Sequence, residues 1–142
     1  MSSLTLEQKE QLIAKALEAR GFSYSPYSNY QVGAALLCKD GRIFTGCNIE
    51  NAGYGPTNCA ERTAIFKAVS EGYTDFIAIA VVGGKAEEVI DNYAYPCGVC
   101  RQVMAEFCRS DFEVLVAKSV KEFREHNLEE LLPERFGPVN LQ

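Results

Sequence analysis

The stretch Phe76-Ile77-Ala78-Ile79-Ala80-Val81-Val82 carries no polar side chain over seven consecutive residues. A strand with one face in water alternates apolar and polar residues, whereas a continuous apolar run is typical of a strand that is covered on both faces. Such strands occur mainly in α/β proteins, where helices pack on the two sides of one sheet. This stretch therefore predicts a sheet with a helical layer on each side.

The segments on either side of this strand supply the helices and the other strands. Before the strand over 76–82, apolar spacing and turn residues predict a helix over 5–20, a strand over 32–39, a hairpin at Asp40-Gly41 with a return strand over 42–48, and a helix over 59–71. After that strand they predict a loop over 83–95, a helix over 97–108 that Pro96 opens, a strand over 113–117 and a short helix over 128–132. Because a hairpin is followed by crossovers, the sheet is mixed. The predicted fold is α/β, a three-layer α-β-α arrangement with a mixed central sheet, in a single domain over residues 1–142.

The composition excludes several classes of function. The chain has 142 residues and a net charge of −5, without a run of Lys or Arg. A nucleic-acid partner is therefore disfavoured, because phosphate binding needs a basic face. No apolar run approaches the roughly 20 residues that cross a bilayer, and residues 1–8 lack the basic start and apolar core of a secretion signal. We expect a cytoplasmic protein without a membrane partner.

Three of the cysteines fall at predicted helix starts. In a reducing compartment, spaced cysteines more often bind metal or do chemistry than form structural bridges. Cys59 opens one predicted helix, and Cys97 and Cys100 lie three residues apart at the start of another. Helix N-termini stabilise thiolates. If the two helix starts converge at one end of the sheet, the three sulfurs form an open tripod, which leaves the fourth position of a catalytic zinc site for water.

The Cys97–Cys100 pair alone does not decide between metal binding and redox or packing roles. Glu61 favours the metal, because a carboxylate beside a metal-bound water can act as general base and then as general acid. A redox pair has no use for this glutamate, although by itself it could be a solvated residue in the first turn of a helix.

The remaining cysteines and the sole histidine are not expected to belong to the metal site. Cys38, Cys47 and Cys108 lie in apolar contexts and are predicted to be small core residues. His126 is flanked by Glu125 and Asn127 in a polar stretch, so we expect it to be exposed.

Several longer motifs accompany the cysteines. They are Tyr24-Ser25-Pro26-Tyr27-Ser28, Val32-Gly33-Ala34-Ala35, Gly46-Cys47-Asn48-Ile49-Glu50-Asn51-Ala52, the stretch 59–64, Pro96-Cys97-Gly98-Val99-Cys100, Cys100-Arg101-Gln102-Val103 and Glu130-Leu131-Leu132-Pro133. The cysteine and glutamate spacing matches the general zinc-deaminase signature. Together the motifs resemble the small, homotetrameric, zinc-dependent cytidine deaminases over nearly the whole chain.

The resemblance implies a role for each matching residue. Cys59, Cys97 and Cys100 would bind Zn²⁺, and Glu61 would be the proton shuttle. The implied substrate contacts are Asn48 and Glu50 with a ribose hydroxyl, the backbone of Ala60 with the base carbonyl oxygen, Tyr30 with the pyrimidine ring, Tyr54 in the nucleoside-site loop, and Phe136 in the site of a neighbouring subunit. No organic cofactor is implied.

Elementary chemistry supports some of these roles independently. Asn48 and Glu50 are two residues apart at a strand end, so their side chains point the same way, and an amide and a carboxylate can serve a sugar hydroxyl as donor and acceptor. Without the resemblance the pair would be read as an ordinary turn. Arg62 could donate hydrogen bonds to the thiolates and offset their negative charge. Alternatively, it is an exposed helix arginine.

Two departures from the family pattern concern the segment before Pro96. Tyr95 stands where the family usually carries a small hydroxyl residue, and the loop 83–95 is longer than usual. If the backbone carbonyl of Tyr95 still holds the exocyclic amine, little changes. If the tyrosine ring enters the pocket, base or sugar preference would shift.

The resemblance implies hydrolytic deamination of cytidine and 2′-deoxycytidine to uridine and 2′-deoxyuridine plus ammonia, a reaction of pyrimidine salvage, in a homotetramer with shared active sites. One alternative is a deaminase of another aminopyrimidine nucleoside such as blasticidin S, against which the motif Asn48-Ile49-Glu50-Asn51 favours a ribose. Another alternative is a zinc-stabilised binding module without turnover, in which Glu61 would have no function. The third alternative is a redox protein, which would bind no zinc.

Overall fold

A five-stranded mixed sheet forms the middle layer of the computed structural model, which describes residues 3–142. The strands are β1 (Tyr30–Cys38), β2 (Ile43–Cys47), β3 (Phe76–Lys85), β4 (Glu113–Ala117) and β5 (Phe123–Asn127). Their order across the sheet is β2-β1-β3-β4-β5. Only β3 and β4 run parallel, joined by a helical crossover, and the other neighbours are antiparallel. The predicted mixed sheet is confirmed.

Helices cover both faces of this sheet. They are α1 (Leu6–Arg20), α2 (Ala60–Ser70), α3 (Gly98–Phe107) and α4 (Leu128–Leu131), followed by a 3₁₀ turn over Pro138–Leu141. Helix α1 begins at a capping box, in which the Thr5 hydroxyl accepts from the backbone N–H of Gln8 at 3.1 Å. None of the helices within residues 3–142 is long and apolar enough to cross a membrane.

The two faces of β3 explain why its sequence does not alternate. Ala78 and Ala80 pack with the core under α1, whereas Ile79 and Val81 pack with the core under α2 and α3. Both faces of the strand are therefore buried, and a polar side chain on either would lose its water.

Two glycines let the helices approach the sheet closely. A Cβ at Gly33 would lie 2.0 Å from the carbonyl oxygen of Ala16 in α1. A Cβ at Gly46 would lie 2.5 Å from both the carbonyl oxygen of Ala60 and the amide nitrogen of Ala64 in α2. Gly46 thus determines where the first turn of α2 sits above the sheet.

The structure differs from the sequence prediction at several element boundaries, of which two bear on the site, and in one additional strand. Strand β3 continues through Lys85 because it pairs with β1 along that length, so the predicted loop 83–95 begins at Ala86. Helix α3 begins at Gly98, because Cys97 has an extended backbone and caps it. Strand β5 was not predicted at all: it is a short, polar edge strand, and edge strands carry charged side chains that hide the apolar alternation.

Candidate active site

The N-termini of α2 and α3 lie next to each other, and each helix is capped by a cysteine. Cys59 caps α2 and Cys97 caps α3, both with an extended backbone and without a side-chain cap hydrogen bond. Cys100 follows in the first turn of α3. The three sulfur atoms all lie within 4.8 Å of one another, so the predicted convergence is present.

The arrangement of these sulfurs fits a tetrahedral zinc ion. Zn–S bonds of about 2.3 Å in a tetrahedron place neighbouring sulfurs about 3.8 Å apart, and the sulfurs of Cys59 and Cys97 are 3.7 Å apart. None of the three cysteines is in a disulfide. Cys100 is fully buried while Cys97 is exposed, so the group is closed on its inner side and open toward the surface.

The environment of Cys59 favours the thiolate, the form that binds metal. A hydrogen bond from the Cys100 thiol and another from Arg62 outweigh burial and lower the pKa of Cys59 to about 5. The hydrogen bond to Cys59 in turn retains the proton on Cys100 and raises its pKa. A metal ion replaces such a shared proton, because a coordinated thiol is deprotonated outright.

Arg62 lies beneath the sulfurs and contacts one of them directly. Its Nη2 donates to Cys59 Sγ at 3.2 Å. Its Nε is buried and has no hydrogen-bond partner among the described residues. A buried polar atom without a partner carries a free-energy cost, which the hydrogen bonds of the guanidinium to the sulfurs of Cys59 and Cys100 offset.

Glu61 is a buried carboxyl beside the cysteine group. Its side chain follows Cys59 by two residues, belongs to the first turn of α2 and is 3% exposed. Burial, partly offset by a hydrogen bond from its own backbone N–H, raises the pKa of Glu61 to about 7. A group with this pKa can both accept and release a proton at neutral pH.

The cysteine group and Glu61 open into a cavity of about 410 Å³, within the roughly 300–1,000 Å³ of small-molecule sites. The residues that line it are Tyr30, Val32, Asn48, Glu50, Thr57, Asn58, Cys59, Ala60, Glu61, Val81, Ala94, Tyr95 and Cys97. The cavity therefore brings together most of the residues that the sequence indicated, on one side of the sheet.

Asn48 is fixed so that one amide N–H remains available to the cavity. Its Oδ1 accepts from the N–H of Val32 at 2.9 Å and from the Ser23 hydroxyl at 2.5 Å. Its Nδ2 donates to the Tyr30 carbonyl at 2.8 Å. Since the oxygen is already bound twice, the remaining amide hydrogen makes Asn48 a donor toward a ligand.

Whereas Asn48 is a donor toward the cavity, Glu50 is an ionised acceptor. The N–H groups of Tyr27 and Ser28 donate to its Oε1 at 3.0 and 3.1 Å, and the Ser28 hydroxyl donates to its Oε2. The hydroxyl is the main reason that the pKa of Glu50 is lowered from its ordinary value. Ile49 between Asn48 and Glu50 is bridged to Tyr24 and Asn58, which keeps both flanking side chains on the cavity side.

Two residues predicted to contact substrate lie outside the cavity of this chain. Tyr54 is 86% exposed and lines a neighbouring depression of about 230 Å³ that shares Glu50 and Thr57 with the cavity. Phe136 is 58% exposed in the C-terminal tail, whose backbone is tied to α3 where Gln102 Nε2 donates to the Phe136 carbonyl at 2.8 Å. Their roles stay predictions.

The sequence did not indicate the contact between Ser28 and Glu50, and it gave a wrong expectation for the exposure of His126. Ser28 ends the motif Tyr24-Ser25-Pro26-Tyr27-Ser28. No periodicity indicates that its hydroxyl binds Glu50, because contacts between loops depend on how the whole chain folds. His126 was expected to be exposed, and this is wrong: it is half-buried on β5, with its Nε2 at 3.1 Å from the Tyr95 hydroxyl. The partner lies 31 positions away in sequence, which no local pattern shows.

The remaining cysteines only partly follow the expectation of core residues. Cys38 and Cys108 are buried, and burial raises their pKa values to about 11 and about 12. Cys47 is half-buried, because it ends the edge strand β2.

Comparison with known proteins agrees with this site. A model of the family described as the cytidine and deoxycytidylate deaminase zinc-binding region matches residues 6–116. A cytidine deaminase of Halalkalibacterium halodurans is 52% identical over 128 residues, which cover 90% of this chain and 93% of the relative. A cytidine deaminase of Sporosarcina psychrophila is 48% identical over 132 residues, 93% of each chain.

A solved structure confirms the predicted fold class. The crystal structure of a cytidine deaminase from Burkholderia pseudomallei superposes with a TM-score of 0.80 at 47% identity, covering 89% of this chain and 97% of the other. The family match spans more than half of the chain and includes the three cysteines and Glu61. The chain therefore belongs to the zinc-dependent cytidine deaminase family.

Proposed function

We propose that the chain hydrolyses cytidine and 2′-deoxycytidine to uridine and 2′-deoxyuridine with release of ammonia, a step of pyrimidine salvage. The observation that carries this proposal is Glu61: a buried carboxyl with a pKa of about 7, at the floor of a nucleoside-sized cavity and beside three thiols that fit a metal. Family membership and the cytidine deaminase relatives support the same reaction.

Cys59, Cys97 and Cys100 would hold Zn²⁺, which when bound supplies a water of lowered pKa and a positive charge for the reaction. Arg62 would draw charge from the Cys59 sulfur through its hydrogen bond, so that three thiolates do not cancel the charge of the metal.

Glu61 would move the protons. It takes one proton from the attacking water and delivers it to N3 of the pyrimidine, which makes C4 more electrophilic. It then takes the second proton from the hydroxyl group that has been added to C4 and carries it to the departing amine, which leaves as ammonia. A single carboxyl can serve as base and then as acid because its pKa lies near neutrality and, at 3% exposure, it is shielded from bulk solvent.

The other lining residues would bind and orient the nucleoside. Asn48 donates to, and Glu50 accepts from, a ribose hydroxyl, in keeping with their fixed hydrogen-bonding states. The backbone at Ala60, in the first turn of α2, offers an N–H to the base carbonyl oxygen, since N–H groups there lack intrahelical partners. Tyr30 packs beside the pyrimidine ring.

We also infer the setting in which the enzyme works. The acidic chain, with a net charge of −5, favours a free nucleoside over a polynucleotide as substrate. The protein is proposed to act in the cytoplasm, as a single domain over residues 1–142 that forms a homotetramer. In the tetramer, Tyr54 and the Phe136 of a neighbouring subunit complete the site.

Measured turnover and metal content together test the proposal. The purified protein should lower the ultraviolet absorbance of cytidine and deoxycytidine and should contain about one zinc per chain. Blasticidin S in parallel distinguishes the alternative substrate: rapid turnover of blasticidin S without turnover of cytidine would refute the proposed specificity. One zinc without turnover of any of these compounds would instead indicate a binding module.

A further inference from the structure

One wall of the nucleoside cavity is a segment with no secondary structure of its own. Residues 89–96, which we call the wall segment, contribute Ala94 and Tyr95 to the cavity lining. No backbone–backbone hydrogen bond involves this segment within the described part of the chain. Its position must therefore be determined by side chains.

Strand β5 provides the outer anchors of the wall segment. The Tyr93 ring contacts two cations: the guanidinium carbon of Arg124 in β5 lies 4.2 Å from its centroid, and Nζ of Lys118, in the turn before β5, lies 4.8 Å from it. The Tyr95 hydroxyl and His126 Nε2 form a hydrogen bond of 3.1 Å, and their rings pack with centroids 5.3 Å apart.

The spacing of the anchors matches the strand. Arg124 and His126 are two residues apart in β5, opposite Val116 and Val114 of β4, so they lie on the same face of the sheet as α2 and α3. Tyr93 and Tyr95 are also two residues apart. The wall segment thus lies against the edge strand, and its two side-chain contacts have the same two-residue spacing as the strand residues that make them.

The inner side of the wall segment is packed at Ala94 and at Pro96, one residue before and one after Tyr95. A Cβ at Gly83 of β3 would lie only 2.9 Å from the Cβ of Ala94, so Ala94 rests directly on the strand. The Pro96 carbonyl accepts from Arg101 Nε at 2.7 Å. Tyr95 between them is 37% exposed, and its side chain is secured on β5.

We propose that His126 is a positioning residue for the reaction: by holding the Tyr95 hydroxyl on β5, it fixes the Ala94–Tyr95 wall of the cavity and limits how far the tyrosine ring can enter. This inference rests on the proposed function for its substrate. It assigns a role to a histidine that touches neither the metal group nor Glu61, and it accounts for the tyrosine that precedes Pro96.

The effect should be on binding rather than on chemistry. Releasing Tyr95 leaves Glu61 and the cysteines in place on α2 and α3, but the wall must then be ordered by the substrate itself. An interaction that serves the ground state and the transition state equally changes KM and leaves kcat unaltered. The loss of one neutral hydrogen bond corresponds to a roughly two- to tenfold rise in KM.

Four variants test the anchor. His126→Phe retains a ring and removes the hydrogen bond, and Tyr95→Phe removes only the hydroxyl. Each should raise the KM for cytidine by the same roughly two- to tenfold factor, with kcat and zinc content unchanged. The double variant should be no worse than Tyr95→Phe alone, because that change already removes the bond to His126 together with the contact of the hydroxyl with Arg124. His126→Gln, which restores a polar partner, should recover most of the affinity.

A second readout does not depend on turnover. Chymotrypsin should cleave after Tyr93 faster in His126→Phe and in Tyr95→Phe than in the unaltered chain, since both release the wall segment. Lys121→Ala is the control: it removes an exposed ion pair with Glu10 just before β5 and should change neither KM nor cleavage.

The outcomes separate the two proposals. Unchanged KM and unchanged cleavage in both phenylalanine variants would overturn the anchoring role of His126, as would a fall in kcat at constant KM. An unaltered chain that binds zinc and does not deaminate cytidine would overturn the proposed function, while the cleavage rates would still decide whether His126 holds the wall.

Discussion

Glu61 and Glu50 are carboxylates of the same cavity with opposite environments. Glu61 is desolvated and its pKa is raised to about 7, whereas the Ser28 hydroxyl and two backbone N–H groups lower the pKa of Glu50. Pairs of titratable groups whose pKa values are driven apart divide the work of a site between them. Glu61 is therefore suited to move protons, and Glu50 to remain an anionic acceptor.

The role of Glu61 predicts a large effect on turnover without loss of metal. Glu61→Gln retains the size of the side chain and removes the base, so kcat should fall by at least the roughly 10²–10⁴-fold typical of general acid–base catalysis. Zinc content, measured by elemental analysis, should stay the same. Near-normal turnover in the zinc-loaded variant would mean that another group moves the protons.

The role of Glu50 predicts a substrate-dependent effect. Glu50→Gln removes the negative charge while the amide oxygen can still accept from the N–H groups of Tyr27 and Ser28. A poorly satisfied polar group in the cavity costs about 1–3 kcal/mol, so kcat/KM for cytidine should fall roughly 5- to 150-fold. Free cytosine has no ribose, and its deamination, where measurable, should be less affected. Equal losses on both substrates would contradict the contact with the sugar.

At the scale of elements, the sequence was most informative where packing is strongest. The apolar stretch of β3 and the stripe of α1 predict buried elements, and burial on two sides leaves little freedom of interpretation. Strand β5 could not be predicted, because its side chains are polar and its partners are β4 and the wall segment. The start of α3 was misplaced by one residue, because Cys97 takes the extended backbone of a cap.

The approach of α2 to the sheet predicts that Gly46 cannot accept a side chain. In Gly46→Ala the new methyl group would meet backbone atoms of Ala60 and Ala64 at 2.5 Å, and neither can move without displacing the first turn of α2. Overpacking of this kind costs about 1–3 kcal/mol, which urea unfolding would measure as a lower midpoint. Turnover should fall as well, because Cys59 and Glu61 begin this helix.

A matched glycine gives the control. At Gly21 a Cβ would come no closer than 3.4 Å to any other group, the carbonyl oxygen of Glu18, and its φ of −64° suits any residue. Gly21→Ala should therefore leave the midpoint unchanged or raise it slightly. A Gly46→Ala protein with the midpoint and activity of the Gly21→Ala protein would show that α2 does not need this close contact.

At the scale of the whole molecule, the sequence indicated the site better than its surroundings. Cys59, Cys97, Cys100 and Glu61 could be found because local spacing places them at helix starts, and the fold then brings the two starts together. The contacts of Asn48, Glu50 and His126 depend on distant loops and an edge strand, so spacing alone did not show them. The proposed assembly would depend on a surface that a single chain does not define.

The C-terminal tail supports the proposed assembly. Phe136, Val139 and Leu141 are 58%, 72% and 79% exposed, and the tail extends from α4 along α3. Apolar side chains that cluster at the surface commonly mark an interface. A neighbouring subunit that received Phe136 in its cavity would bury this tail and exclude water from the substrate.

Shared sites predict complementation between two impaired chains. Glu61→Gln lacks the base and Phe136→Ala lacks the aromatic side chain, so neither homotetramer should be fully active. In mixed tetramers some sites combine an intact Glu61 from one chain with an intact Phe136 from its neighbour, and coexpression should restore part of the activity. Coexpression of Glu61→Gln with Lys121→Ala, whose own activity should be intact, shows how much activity dilution alone leaves. A monomer that is fully active in sedimentation would refute the assembly, and a tetramer without complementation would remove the role of Phe136.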